Sequence, residues 1–281
     1  MTCAELLISA QLGLIYSIVA LGIYITFKVI NFQDLTCDGS FVLGATASTM
    51  MLHNAYGPGV ALVVGMIAGA CAGLATALLA TYGKVPQLLA GIIVAFMLYS
   101  VNCAIMKGVP NRSIAEETTI FYTCNSSLIL IIIAAFCWMI LSYLLITEWG
   151  LALRSIGFNK RLAMNMGINV TTFTCVGMII SNGLIGLGGG LLSQYQGFVD
   201  ISQGIGTLII GLAAVIVGQV LIANSSLWHA TAGCIIGSVV YRTILGCALH
   251  STTIGLPSYA LNAITGLILV IILMSTRGRT C

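Results

Sequence analysis

Charge is what this sequence has least of: ten Lys and Arg and seven Asp and Glu, 6% of 281 residues. Soluble domains carry roughly 25% charged residues, so with 59% hydrophobic residues an ordinary soluble fold is excluded. The net charge of +3 is scattered and provides no basic stripe for nucleic acid. Proline is scarce too, four residues in all. No Pro-rich or Ser-rich stretch and no charge block stands between the apolar runs, so nothing reads as a linker to a separate soluble domain. Ten cysteines are present, but none forms a CxxC or a Cys/His cluster. Most lie inside apolar runs and read as small buried hydrophobes, not as metal ligands or a redox pair. Cys103 and Cys124 flank one loop, and whether they pair is left open.

Apolar length is what the chain has in abundance. Nine segments recur, at about 5–28, 40–54, 59–82, 86–107, 126–147, 171–196, 205–223, 228–249 and 257–275. A run of roughly 20 apolar residues crosses a hydrocarbon core of about 30 Å. The expectation is an all-α polytopic membrane protein, one transmembrane domain over 1–281 with about nine transmembrane helices. The opening run has no basic n-region and no small-residue cleavage site, so it reads as a retained first span. Lys and Arg in short loops set the orientation. Arg154, Lys160 and Arg161 in the 148–170 loop, and Arg277 and Arg279 in the tail, belong on the cytoplasmic side, which leaves the N-terminus outside and the C-terminus inside.

The stretch "FQDLTCDGSF" at 32–41 places two of the seven acids hard against apolar runs. The segment that follows it, 40–54, is too short for one clean crossing. A broken helix is expected here, because irregular backbone survives at membrane depth only where protein or water meets its polar groups. "VDISQGIGTLIIGLAA" at 199–214 has the same order of features: Asp34 aligns with Asp200, Thr36 with Ser202, Ser40 with Thr207, and the pair Gly65/Gly69 with Gly233/Gly237. With the topology above this is an inverted repeat, about 5–107 and about 171–275, joined by a linking span at 126–147 and a cytoplasmic loop at 148–170. Asp34, Thr36, Asp38, Ser40, Asp200 and Ser202 are the candidates for helix breaks beside a translocation path. Asp34 and Asp200 are expected to bond free backbone N–H groups there, and Asp38 or Ser40 to cap the helix that follows them. The GxxxG pairs read as close helix packing, and the glycine run at 183–190 as tolerated rather than required.

The 148–170 loop is basic and partly amphipathic. A helix within it would carry Ile156, Leu162 and Met166 on one side, suiting either a docking partner or the lipid surface. "WGLALRSIGFNKRLAMNMGIN", followed by a span and "GLGGGLLSQYQGF", resembles permeases of ABC importers of the branched-chain amino acid and ribose type. "NFQDLTCDGSF" is similar to the "DFPDLTVDGSF" of permeases linked to tryptophan, tyrosine or related solutes, with a late Tyr241–Arg242 pair in common. Gln33 departs from that pattern, standing where proline is usual, so the break at 31–39 has to rest on Asp34, Asp38 and Gly39. The resemblance implies a permease subunit in a bacterial plasma (inner) membrane and no cofactor of its own. Its partners would be a cytoplasmic ABC ATPase, a periplasmic or lipoprotein solute-binding protein and a second permease copy. Arg154, Ile156, Lys160, Arg161, Met166 and Gly167 would couple it to the ATPase. The chain has no GxxxxGK[ST] stretch, so ATP is bound elsewhere, and no nucleophile–base pair or metal site marks it as an enzyme. The competing expectation is an ion-coupled secondary transporter, which would place an ionisable relay inside the spans.

Overall fold

The structure, a computed structural model, describes residues 3–114, 119–122, 125–222, 226–249 and 266. The predicted ninth span at 257–275, apart from Gly266, the tail arginines and Cys124 lie outside these residues. Ten α-helices fill most of the described chain: α1 Cys3–Ile23, α2 Cys37–His53, α3 Pro58–Thr81, α4 Gln87–Ile105, α5 Ser126–Ile146, α6 Glu148–Phe158, α7 Lys160–Asn165, α8 Val170–Gln196, α9 Thr207–Leu221 and α10 Leu227–Leu249. Seven helical stretches are long and apolar enough to span a membrane among the described residues. α2 is not one of them, in keeping with the expectation of a short, broken segment. One feature departs from an all-helical fold. β1 (Asn111–Ser113) pairs antiparallel with β2 (Phe198–Asp200), Asn111 opposite Asp200 and Ser113 opposite Phe198. This ribbon lies at one end of the bundle, and α6 and α7 lie at the other.

The first helix shows how the sequence shapes the core. Every residue from Ile15 to Thr26 is buried, so α1 is apolar all round and is enclosed by other helices rather than lying on the surface. It continues as a π-helical segment, Tyr24–Ile30, and stops at Asn31, whose φ of 55° is left-handed. Asparagine tolerates that conformation better than most residues. Hydroxyls on neighbouring helices bond the α1 backbone at its glycines. Ser181 Oγ in α8 donates to the Gly22 carbonyl at 2.7 Å, and Ser238 Oγ in α10 donates to the Gly13 carbonyl at 2.7 Å. Small polar residues at helix contacts are the expected adhesive in a bilayer, where apolar surface gains little from helix–helix burial.

Glycine decides how α2, α3 and α8 meet. A Cβ on Gly44 in α2 would collide with the Gly186 carbonyl in α8, and one on Gly189 would collide with the Phe41 carbonyl in α2. A Cβ on Gly69 in α3 would strike the Asn182 carbonyl, also in α8. The run at 183–190 is therefore required at Gly186 and Gly189, a correction to the expectation that it is merely tolerated. Gly183 alone fits that expectation, its nearest neighbours lying at ordinary contact distance, 3.5 Å. α9 and α10 approach each other similarly, through Gly218 and Gly233.

Candidate functional site

The chain leaves α1 at Asn31 and reaches α2 only at Cys37, and Asp34 organises what lies between. Asp34 is fully buried. Its Oδ1 accepts the Thr36 amide at 2.8 Å, and its Oδ2 accepts Asn182 Nδ2 at 2.8 Å and the Cys37 thiol at 3.7 Å. Asn182 is near the middle of the 27-residue α8, so this break sits well inside the bundle. Thr36 Oγ1 and Thr76 Oγ1 in α3 are 2.7 Å apart and bonded. The Asp34 carboxylate and the Thr36 amide and hydroxyl thus have partners where water is scarce, as a low-dielectric interior demands, while Asn182 Oδ1 is buried without one.

The second break follows the ribbon. Asp200 Oδ1 accepts the Ser202 amide at 2.7 Å and also the Ser202 hydroxyl, while Asp200 Oδ2 accepts Asn111 Nδ2 at 3.3 Å. A short 3₁₀ turn, Ile201–Gly204, leads inward to Gly206, whose φ of 86° only glycine adopts readily. α9 begins there. Asp34 and Asp200 therefore make the same bond, to the amide two residues on, and both lie just before a helical segment.

Asp38 joins the two breaks. It was expected to cap its own helix, but its carboxylate reaches the start of α9 instead. Oδ1 accepts the Leu208 amide at 2.8 Å and Oδ2 the Gly206 amide at 3.2 Å. The turn lies so close that a Cβ on Gly204 would collide with the Asp38 carbonyl. The reason is geometric. The first turn of α2 faces the free N–H groups of α9, and a carboxylate there satisfies orphan amides and favours the positive end of that helix. Ser40, the other expected cap, is buried and its hydroxyl has no partner among the described residues. Gly39, expected in the break, lies inside α2 against Leu98 of α4. The break is confined to 31–36, so with Gln33 in place of proline it rests on Asn31 and Asp34.

α2 runs from this junction to the ribbon end, and α9 runs from it toward the α6–α7 end. At 17 and 15 residues they rise about 25 Å and about 22 Å; α2 alone falls short of a full crossing, while α9 with the 201–204 turn before it makes a 21-residue apolar stretch. Beside their meeting point is a cleft of about 530 Å³ between α2, α4 and the 201–204 turn. Asp38, Val42, Phe96, Tyr99, Asn102 and Ile205 are among the residues in its wall. Asn102, Asn182 and Tyr99 escaped the sequence reading. An amide inside an apolar span is the signal that marks the two asparagines.

The 148–170 loop is two helices rather than one. Asn159 ends α6 and caps α7, its Oδ1 accepting the Arg161 and Leu162 amides at 3.0 and 3.2 Å. A Cβ on Gly157 would collide with the Val29 carbonyl, so α6 is pressed onto the last turn of the first span. That contact turns Ile156 inward, 1% exposed, which corrects its expected place on the docking face. Arg154 is half-buried. Lys160, Arg161 and Met166 are exposed, and Gly167 makes the left-handed turn into α8. Phe158, not singled out from sequence, is 89% exposed at the end of α6. The Arg242 guanidinium lies 4.0 Å from the centre of the Tyr16 ring, in cation–π contact.

Comparison with known proteins agrees with this architecture. Residues 6–273 match the family described as the permease component of branched-chain amino acid transport systems. A tyrosine transport system permease protein of Clostridioides difficile is 36% identical over 259 residues, 92% of this chain and 86% of that one. An uncharacterised protein of Rickettsia prowazekii is 35% identical over 279 residues, 97% of this chain and 98% of that one. A chain solved in an inward-facing conformation, from a transporter assigned to the metal-chelate ABC type, superposes with a TM-score of 0.57 at 12% identity, over 95% of this chain and 84% of that one; at that identity the likeness is one of fold. Family membership sets aside the ion-coupled alternative. With its apolar helices, its broken segments and a match along nearly its whole length, the chain belongs to the branched-chain amino acid transport system permease family and is the multi-pass membrane subunit of an ABC transporter.

Proposed function

We propose that this permease carries an amino acid, tyrosine or a close relative, inward along a path that passes the junction of α2 and α9. The carrying observation is the Asp38 carboxylate bonded to the amides that open α9. Two short helices that start at one buried point and run to opposite ends of the bundle are what an inverted repeat built around a midplane site produces. In this reading the halves are about 5–107 and about 171–275, joined by the span at 126–147 and the loop at 148–170. Asp34, Thr36, Asp38, Ser40, Asp200 and Ser202 shape the path rather than bind solute tightly. A binding protein supplies the solute on the ribbon side, and two permease copies enclose the path. The N-terminus is outside and the C-terminus cytoplasmic.

The α6–α7 end is the cytoplasmic coupling surface. Phe158 and Met166 offer apolar contact to the ATPase, Arg154, Lys160 and Arg161 offer charge, and Gly167 makes the turn into α8. This assignment is supported by an exposed aromatic and an exposed thioether, whose apolar surface is better covered than left in water, beside two cations that can pair with acidic groups of a partner. The test is reconstitution of the permease with an ABC ATPase and a solute-binding protein from the same organism. Labelled tyrosine should accumulate in an ATP-dependent manner. Phe158→Ala with Lys160→Glu should lower ATPase co-purification and solute-stimulated hydrolysis about tenfold or more, as expected for loss of an interface anchor. Unchanged hydrolysis would make the loop a lipid anchor, and accumulation of no amino acid would remove the solute assignment.

A further inference from the structure

We infer that the cleft between α2, α4 and the 201–204 turn is a transit subsite for a zwitterionic amino acid with an aromatic side chain, its ammonium at Asp38 and its ring between Phe96 and Tyr99. This rests on the amino-acid reading given above and adds a place and a selectivity to it. The cleft, about 530 Å³, is within the range of small-molecule sites.

Charge defines one end. A carboxylate has about four lone-pair sites, and the Gly206 and Leu208 amides take two at Asp38, so capacity remains for an ammonium group. The starts of α2 and α9 both lie beside Asp38, and each helix N-terminus carries the equivalent of about half a positive charge. One carboxylate against two such termini is close to neutral overall, with both signs near each other. That field suits a zwitterion and disfavours a solute with net charge.

A second polar group defines the other end. Asn102 is 2% exposed and its Oδ1 accepts the Thr46 hydroxyl at 3.4 Å, which leaves its amino group as a donor. Thr46 is two turns beyond Asp38 on α2, a rise of about 12 Å. Between these ends the wall is apolar, with Val42, Phe96 and Tyr99 along it. A solute with a zwitterionic head, a ring and a polar tip, such as tyrosine, presents matching groups in that order. Asp38 lines the cleft, and a carboxylate beside acyl chains is costly, so in this proposal the cleft opens to water.

The test uses the complete transporter in nanodiscs with Ile205→Cys, a position at the cleft rim that is 71% exposed. Labelling of that cysteine by a membrane-impermeant sulfonated maleimide is followed by mass spectrometry. Millimolar L-tyrosine should slow labelling about tenfold, the change expected for a well-occupied site, whereas L-alanine and D-ribose should leave it unchanged. Tyr99→Ala and Asp38→Asn should each abolish the protection; Tyr99 is exposed, so its variant carries the test even if Asp38→Asn fails to fold. No labelling at all would place the cleft in lipid and overturn the inference. So would equal labelling with and without tyrosine. Uptake of labelled tyrosine is measured on the same preparation. Uptake without protection removes the subsite and leaves the import reading standing; protection without uptake does the reverse.

Discussion

Asp34 bonds the amide two residues on from inside a closed core, and Asp200 makes the same bond at the rim of a two-stranded ribbon. Asp34 is fully buried, with Asn182 of α8 on its second oxygen. Asp200 is half-exposed and shares its second oxygen with Asn111 across the ribbon. The local chemistry is alike and the surroundings are not. A freed N–H beside Asp200 can turn to water, whereas one beside Asp34 has nowhere to go, and the penalty for leaving a buried donor unpaired exceeds the net gain of forming an average hydrogen bond. Sequence alignment places the two aspartates as equivalents, yet only burial decides how much each contributes. Substitutions at the two aspartates, aligned as equivalents, therefore form an ordered series rather than a matched pair.

Asp34→Leu should be the most damaging change. It strands the Thr36 amide and Asn182 Nδ2, each costing about 1–3 kcal/mol when buried unpaired, and little folded protein should survive detergent extraction. The measurement is the monodisperse fraction on size-exclusion chromatography after stepwise heating. A heat profile like the parent's would mean that water reaches the 31–36 break and that the two sites are equivalent after all.

Asp38→Ala comes next. It frees the Gly206 and Leu208 amides at the start of α9, a loss of about 1–2 kcal/mol for a capping carboxylate. Because the bond joins α2 to α9, its removal should reach transport more than folding. ATP-dependent uptake should fall well before the melting temperature does. Equal losses in both would make Asp38 a structural cap and nothing more.

How much of this was legible in the sequence follows from distance along the chain. The Asp34–Thr36 and Asp200–Ser202 bonds are local, two residues each, and the Asp-x-Thr and Asp-x-Ser spacings announce them. The short length of α2 was legible for the same reason. Asp38 was misassigned because its partners are 168 and 170 residues away, and nothing near it distinguishes a cap for its own helix from a cap for another. Asn182 faces Asp34 from 148 residues off; only its presence in an apolar span hints at a role. Ile156 was misplaced because an amphipathic pattern gives one face but not which side it packs on, and the bend at Asn159 reorients that face. The ribbon has three residues per strand, too few for a period-two pattern to stand out.

Asp34→Asn should be mild, and it isolates shape from charge at the buried site. Asparagine Oδ1 can keep the Thr36 amide. Its Nδ2 would then meet Asn182 Nδ2, donor against donor. Asn182 Oδ1 is buried without a partner, so turning that amide over restores a bond. The exchange gives up the Asn182 Nδ2 bond to the Met178 carbonyl, at 3.3 Å a weak one. The net cost should be about 1 kcal/mol, visible as a few degrees in melting temperature, with uptake near normal. Asn182→Ala combined with Asp34→Asn should then be worse than either change alone. A double variant no worse than Asp34→Asn would show that the rescue by Asn182 does not occur.

The smallest effect belongs to Asp200→Leu. Its loss removes one carboxylate from the Ser202 amide, the Ser202 hydroxyl and Asn111. Two of these are small polar groups, and the hydrogen bonds around Asp200 lie in an exposed setting, so water takes over most of what the carboxylate supplied. What remains is a capping loss of about 0.5–1 kcal/mol at the 201–204 turn. β1 should stay paired with β2, because the ribbon is held by backbone bonds that the substitution leaves alone. Melting should shift by a degree or two and uptake should stay above half of the parent's. Hydrogen exchange at the Ser202 amide should rise, since that group trades a carboxylate for solvent, while the Leu208 amide, held by Asp38, should stay protected. A Leu208 amide that also opens would mean that the 201–204 turn transmits the loss inward and that Asp38 cannot hold α9 by itself. In that event the exposed site and the buried one act as a single unit, and the contrast between Asp34 and Asp200 is one of degree.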